Sequence, residues 1–306
     1  MNKENPFGSV HFHTIGTFLK NEFGRRVVKL SLDGGFTCPN RDGTAGCGGC
    51  LFCSEDGGGH YAGTIGDQID LLGRKWPESA YIAYFQKHTN TYAPVSVLRH
   101  LWDDALSYPG VVGLAVATRP DCLPADVLDL LSEYNQKTYL WVELGLQTSR
   151  EDTAKAMNRC YENIVFERAM TQLSVRGIKA VIHLILGLPG ETGKDMARSA
   201  AYVSSFHPFG LKLHMLYVLK NTGLAELYPQ TFRTLALEEY IALVVDILEK
   251  LPREITIHRL TGDAPANQLI APLWSRDKHA VLIGIQKEFK ARGTFQGIYS
   301  SPMSSR

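Results

Sequence analysis

The chain has 306 residues, with 32 Lys and Arg against 31 Asp and Glu. Its 44% hydrophobic and 21% charged content excludes a disordered, collagen-like or low-complexity chain. No run approaches the roughly 18–20 apolar residues of a membrane span, and the opening MNKENPFGSVHFH lacks the apolar core of a secretory signal. The sequence therefore predicts a cytoplasmic chain without a membrane partner, organised as one large domain or two small ones.

In chain order, residues 26–32 (RVVKLSL) form the first β-rich run, directly ahead of a cysteine-rich loop. Further apolar runs follow at 81–86, 111–118, 138–146, 179–186 and 211–218. Between them, 94–106 and 124–134 begin at proline, as helix first turns do, and 162–176 and 195–206 carry apolar residues at helical spacing. Alternation of strands and helices predicts a parallel sheet. Six such units predict an α/β fold, a partial (β/α)6 TIM-like barrel with a C-terminal extension. Its core is expected over 1–229. The extension, 230–306, is expected to hold a helix over 235–250, a late strand at 254–260 (EITIHRL) and a terminal helix over 280–292.

Four of the six cysteines fall between Cys38 and Cys53, in Cys38-PNRDGTAG-Cys47-GG-Cys50-LF-Cys53. Reduced thiols packed this densely point to metal or catalysis rather than disulfides. Gly34, Gly35, Gly43, Gly46, Gly48 and Gly49 let the backbone wrap closely around an inorganic centre. Four thiolates on a structural zinc are one reading. Against it, zinc ribbons use two separated knuckles, whereas Cys47–Cys50 and Cys50–Cys53 are overlapping pairs. An iron–sulfur cluster is the other reading; three ligands on a four-iron cluster would leave one iron open.

Cys50-Leu-Phe-Cys53 resembles the end of the radical S-adenosylmethionine (radical SAM) motif, C-x-aromatic-C. With KLSLDGGFTCPNRDGT before it, the segment resembles the YtqA/YhcC family, short bacterial relatives of the Elongator catalytic subunit. The resemblance runs from about residue 11 to about 298. It implies a [4Fe-4S] cluster on Cys38, Cys50 and Cys53, with Cys47 extra, and S-adenosylmethionine as cofactor. It also implies reductive cleavage to a 5′-deoxyadenosyl radical, an electron donor such as flavodoxin or ferredoxin, and tRNA as substrate. The proposed tRNA step converts a carboxymethylaminomethyl to an aminomethyl group on wobble uridine. The chain is too short for the acetyltransferase domain of Elongator relatives. A small metabolite or peptide is the alternative substrate, and a zinc-stabilised binding protein the alternative class.

Glu143, Gly145 and Gln147 share one face of the fourth run, and an acid amid apolar neighbours is costly without a partner. ELGLQT resembles the family's cofactor-contacting strand, which implies ribose or substrate contacts for Glu143 and Gln147. No GGE follows the second run, so Gln86, Thr89 and Asn90 are the candidates for the methionine amine. Arg119 is the candidate for a carboxylate such as that of the cofactor, with a loop-fixing ion pair as its other reading, and Arg159 resembles an arginine near the cofactor. Gly187, in GLPGET, resembles the adenine-side loop. His183, Lys212 and His214 are candidates for substrate contact, with buried polar pairing as their other reading. His258–Asp263 resembles the family's C-terminal signature. Cys122 and Cys160 read as small buried residues. The basic segments 20–29 and 276–292 could meet phosphates, and Tyr92, Trp274, Phe295 and Tyr299 could stack on a base.

Overall fold

A computed structural model describes residues 4–55 and 57–300. Its strands are β1 (Val27–Leu32), β2 (Ala80–Phe85), β3 (Val111–Thr118), β4 (Tyr139–Gln147), β5 (Lys179–Leu186), β6 (Gly210–Met215), β7 (Val218–Leu219), β8 (Thr256–Arg259) and β9 (Leu269–Ala271). Its helices are α1 (Ile15–Phe23), α2 (Ile65–Lys75), α3 (Val95–Ser107), α4 (Ala125–Lys137), α5 (Glu151–Ala156), α6 (Asn163–Val175), α7 (Gly193–Ser204), α8 (Gly223–Leu227), α9 (Leu237–Leu248) and α10 (Lys278–Arg292). Strand and helix alternate, and the main sheet follows the order β1-β2-β3-β4-β5-β6-β8. This is the α/β partial-barrel class expected from the sequence, with seven strands where six were expected.

The extra strand is the late run EITIHRL, which the sequence placed in the extension. Gly210 pairs with Thr256 and Leu211 with Ile257, so β8 continues the main sheet in parallel beside β6. The run at 211–218 divides. Its first part is β6, and Val218–Leu219 pairs antiparallel with β9 instead.

Two compact units make up the chain. Unit 1 comprises the described residues up to Ile15, Gln147–Met157 and those from Ile182 onward; unit 2 comprises Gly16–Leu146 and Asn158–Val181. In unit 2, β1, β2, β3 and β4 pair in parallel, Leu30 with Ala83 and Ala117 with Glu143 among them, with one register shift between β2 and β3 at Tyr81/Ile82. Every residue of β2 is buried, as is the end of β3 from Gly113. Burial of both faces is why these runs read as continuous apolar stretches rather than alternating ones. Helices α3 and α4 pack through Trp102 and Tyr134, whose rings meet edge-on at 5.2 Å.

In unit 1, α7 and α10 begin where side chains satisfy free backbone donors. Thr192 and Asp195 form a reciprocal capping box at α7. Asp277 accepts from the Ala280 amide at α10, which ends on Gly293 at φ 65°. Among the described residues no helix is long and apolar enough to cross a membrane.

Candidate active site

The cysteine loop leaves β1 in unit 2 and folds on itself through short backbone bonds. The Arg41 amide donates to the Cys38 carbonyl at 2.8 Å, the Gly49 amide to the Asn40 carbonyl at 2.8 Å and the Cys53 amide to the Cys50 carbonyl at 2.9 Å. Gly48 and Gly49 adopt φ of 76° and 79°, a left-handed geometry in which a side chain is strained. Gly46 is needed for a second reason, because a Cβ there would collide with Asn40 Oδ1 and Cys160 Sγ.

These turns bring Cys38, Cys50 and Cys53 into electrostatic reach of one another and of Arg119. The Cys50 thiol hydrogen-bonds to Cys53; that bond and burial raise Cys50, while the same bond lowers Cys53 against the opposing effect of its burial. Cys47 is exposed, whereas the other three are partly covered. Its carbonyl and that of Gly49 accept from Asn158 Nδ2 at 3.0 and 2.8 Å. Asn40 closes the cradle, donating to Asn158 O at 2.6 Å and to Cys50 Sγ at 3.5 Å. Arg41 donates to the carbonyls of Cys53 and Ser54 at 3.3 and 2.5 Å. Among the described residues, no three His, Cys, Asp or Glu side chains converge tightly enough to share one ion.

Arg119 follows β3. Asp121 grips it through two bonds of 2.9 and 2.7 Å, and its third contact is the Arg159 carbonyl at 3.1 Å. Burial opposes its charge, but the Asp121 pair and the nearby thiols hold it protonated. Arg159 is 2% exposed. Its donors go to Leu146 O, Tyr161 O and Asn163 Oδ1, and it lies over the Tyr161 ring at 4.3 Å. These bonds tie Arg159 to the 158–163 loop.

Glu143 is fully buried on β4. Its carboxylate accepts from Tyr84 Oη at 2.6 Å and Trp141 Nε1 at 3.0 Å, with Lys29 Nζ at 4.0 Å. Asn90 follows β2. Its Nδ2 donates to Ala117 O at 2.8 Å, while its Oδ1 is buried with no hydrogen-bond partner. The neighbouring Thr89 amide donates to Thr37 O at 3.2 Å, which seats this loop beside Cys38. Gln86 bridges Ser31 Oγ and Gly58 O, each at 3.1 Å.

The remaining candidates belong to unit 1. His183 and His214 stand 5.2 Å apart, ring centre to ring centre, on β5 and β6, and Lys212 is 2% exposed on β6. Gln147 ends β4 at φ 71°. Gly187 has φ 98°, its amide donates to Met196 Sδ at 2.9 Å, and a Cβ would crowd Leu235. Beyond it, Thr148 Oγ1 donates to Glu191 Oε1 at 2.5 Å, and burial raises the Glu191 carboxyl above its ordinary value.

Comparison with known proteins decides the family. The model of the radical SAM superfamily matches residues 42–203, and that of the radical SAM C-terminal domain matches 208–291. The chain belongs to the radical SAM superfamily. It is 44% identical over 310 residues to the uncharacterized protein YtqA of Bacillus subtilis, covering 97% of this chain and 96% of that one. YhcC of Escherichia coli K12 is 36% identical, over 91% and 92% of the two chains. Elongator complex protein 3 of Mus musculus is 29% identical over 52% of this chain and 29% of its own. The archaeal Methanocaldococcus infernus Elp3 structure shares the fold at a TM-score of 0.65 and 16% identity. That match covers 88% of this chain and 64% of the archaeal one.

A radical SAM protein takes a [4Fe-4S] cluster and S-adenosylmethionine as its cofactors. The residues present fit both. One zinc needs its donors gathered at a point, whereas a cluster distributes thiolates over separate irons, as Cys38, Cys50 and Cys53 allow. The partnerless Asn90 Oδ1 beside this loop leaves an acceptor for a donor group.

Several residues here were not singled out in the sequence: Asn40, Arg41 and Asn158 around the thiols, and Lys29, Tyr84 and Trp141 around Glu143. The φ of 55° at Asn158 belongs to a turn that asparagine tolerates well, but nothing local links it to residue 47. Cys122 is buried, as expected, and burial pushes its thiol well up. Cys160 departs from expectation. It is exposed, with φ 62° and Sγ 3.1 Å from Asn158 Oδ1.

The basic segments are partly consumed. In 20–29, Arg26 stacks on Trp76 at 3.8 Å and Lys29 turns to Glu143. In 276–292, Lys278 pairs with Asp263, and Arg292 with Asp246, Glu249 and Glu288. Of the four aromatics, Phe295 is buried, Trp274 donates to Leu235 O, Tyr92 donates to Thr44 Oγ1 and Tyr299 is 63% exposed.

Proposed function

We propose that the chain is a radical enzyme acting on tRNA, at the 5-substituent of wobble uridine, converting a carboxymethylaminomethyl to an aminomethyl group. Cys38, Cys50 and Cys53 would hold the cluster. When bound, the cluster and S-adenosylmethionine supply a 5′-deoxyadenosyl radical by one-electron cleavage of the sulfonium. The observation that carries the radical-enzyme reading is the thiol arrangement itself, with Cys38, Cys50 and Cys53 in electrostatic reach of one another while Cys47 is exposed.

The protein's own residues bind, orient and exclude. Arg119, held by Asp121 beside the thiols, supplies fixed positive charge for the cluster's anionic surroundings and a carboxylate. Asn90 Oδ1 is suited to accept from an ammonium. Glu143 is held by Tyr84, Trp141 and Lys29 and has no exposure, so it would meet ribose hydroxyls only by exchanging one of these partners. The left-handed turn at Gly187 would let backbone approach the adenine. His183, Lys212, His214 and Gln147 would meet the substrate, and such a site must exclude water around a radical.

The tRNA assignment rests on the resemblance of the cysteine segment to its family, and on two exposed cations of α10, Lys287 and Lys290. An electron donor of the flavodoxin or ferredoxin type would reduce the cluster. The experiment is anaerobic: reconstituted protein, reductant and S-adenosylmethionine, with 5′-deoxyadenosine measured with and without undermodified tRNA. The reading expects tRNA to raise the yield and one uridine derivative to change mass. A yield indifferent to tRNA would move the substrate to small molecules.

A further inference from the structure

Unit 1 holds a cleft of about 740 Å³ between α10, β8 and the segment from Ser9 to Ile15. Small-molecule sites occupy roughly 300–1,000 Å³. Phe12, Ile15, Ile257 and Leu260 give it an apolar floor, and Leu282 and Ile283 remain 41% and 39% exposed at its side. Among the described residues no Asp or Glu lines it, in a chain whose 31 acids nearly balance 32 bases. Six basic side chains do, from Arg259, Lys287, Lys290, His11, His258 and His279.

The charge is not all available. Arg259 pairs with Asp263 at 2.7 Å. Lys287 and Lys290 are different: both are exposed, and among the described residues neither makes an ion pair or hydrogen bond. Three residues apart on α10, they lie on one face of the helix. The walls also carry the hydroxyls of Ser9 and Thr261, while Gln286 already bonds to His11 at 2.7 Å. An acyl chain would cover these two hydroxyls without pairing them, which is costly. A sugar and a base edge would pair them, while the base covers apolar surface.

We infer that this cleft binds a nucleotide, its phosphate on Lys287 and Lys290 and its base against Leu282 and Ile283. The nucleotide is either free or one residue of a single-stranded RNA. The inference extends the tRNA reading to a docking site, but its binding requires no radical chemistry. The cleft lies within unit 1, whereas the cysteines belong to unit 2.

The test is calorimetric titration of the reconstituted full chain with uridine 5′-monophosphate, uridine, laurate and a uridine pentanucleotide, at low and moderate salt. The monophosphate is expected to bind at least tenfold more tightly than uridine and to weaken with salt. The K287E/K290E double variant should lose at least tenfold for the monophosphate. Leu282→Asp should weaken both monophosphate and uridine, and Cys50→Ala should bind as the parent does. A pentanucleotide tighter than the monophosphate assigns the site to RNA; equal affinity assigns it to free nucleotide. No binding by either, equal affinity for monophosphate and uridine, an unaffected double variant, or tighter laurate binding would overturn the inference. Such a failure with normal 5′-deoxyadenosine formation would remove the cleft and leave the proposed function standing.

Discussion

Tyr84 donates its hydroxyl to Glu143 at 2.6 Å, across two strands that are not neighbours in the sheet. The carboxylate has no exposure, and Trp141 and Lys29 complete its surroundings. A buried acid without partners would be unaffordable; this one is satisfied by three side chains from β1, β2 and β4. Tyr84→Phe removes one donor and leaves an acceptor unmatched. The expected destabilisation is about 1–3 kcal/mol, read as a shift in the urea midpoint with unchanged slope. Glu143→Ala should cost at least as much, because Lys29 then loses its countercharge. Equal stability of Tyr84→Phe and the parent would show that the bond does not hold the carboxylate.

Gly46→Ala tests the cysteine cradle without touching a thiol. The added methyl meets Asn40 Oδ1 and Cys160 Sγ, so the Asn40 clamp on Asn158 must move. The expected result is a folded protein that retains less than half the iron of the parent after reconstitution. Full iron content would mean that the clamp is dispensable.

Arg159 distinguishes a loop-fixing role from ligand contact. Its guanidinium reaches three separate acceptors, a geometry lysine cannot reproduce. Both Arg159→Lys and Arg159→Ala should lower thermal stability, with similar losses. They should also make the 158–163 backbone exchange amide hydrogens faster. Unchanged exchange, with a rise in KM for S-adenosylmethionine alone, would assign the residue to the cofactor instead.

At the start of α9, Glu239 accepts from Arg233 at 2.6 and 2.7 Å and from the Ala236 amide at 2.8 Å. The Arg233 bonds come first in holding its carboxyl down at about 2 against an ordinary 4.5. A depressed folded value means the folded state binds the proton less well than the unfolded one. This stabilisation is therefore present above pH 4.5 and is lost as pH falls towards 2. Solvent screens so exposed a pair, so the effect is small. Glu239→Gln should flatten the acid limb of the stability–pH curve and leave less difference between low and high salt. An acid limb identical to the parent's would contradict the assignment.

Strands were legible wherever apolar runs were continuous. VVGLAVAT and KAVIHLIL became β3 and β5 with the same bounds. EITIHRL read as a strand, but only the pairing of Gly210 with Thr256 makes it the seventh of the main sheet, and pairing is not written in a run. Helix α2 went unread, although Thr64 and Asp67 cap it and its face is amphipathic. The two-residue strand β7 carries too little pattern to read. At the site, the thiols announced themselves by spacing, and Glu143 by its apolar context. Their partners did not, because Lys29, Tyr84 and Trp141, or Asn40 and Asn158, are brought together only by the tertiary fold.

The central claim is that Cys38, Cys50 and Cys53 hold the cluster and Cys47 does not. Each Cys→Ala variant would be reconstituted anaerobically, its iron and sulfide counted, and the reduced cluster's electron paramagnetic resonance recorded with and without S-adenosylmethionine. The account predicts that Cys47→Ala keeps about four irons and a signal that shifts when S-adenosylmethionine is added. The other three should lose both. Loss of the cluster in Cys47→Ala, or its retention in Cys38→Ala, would contradict it.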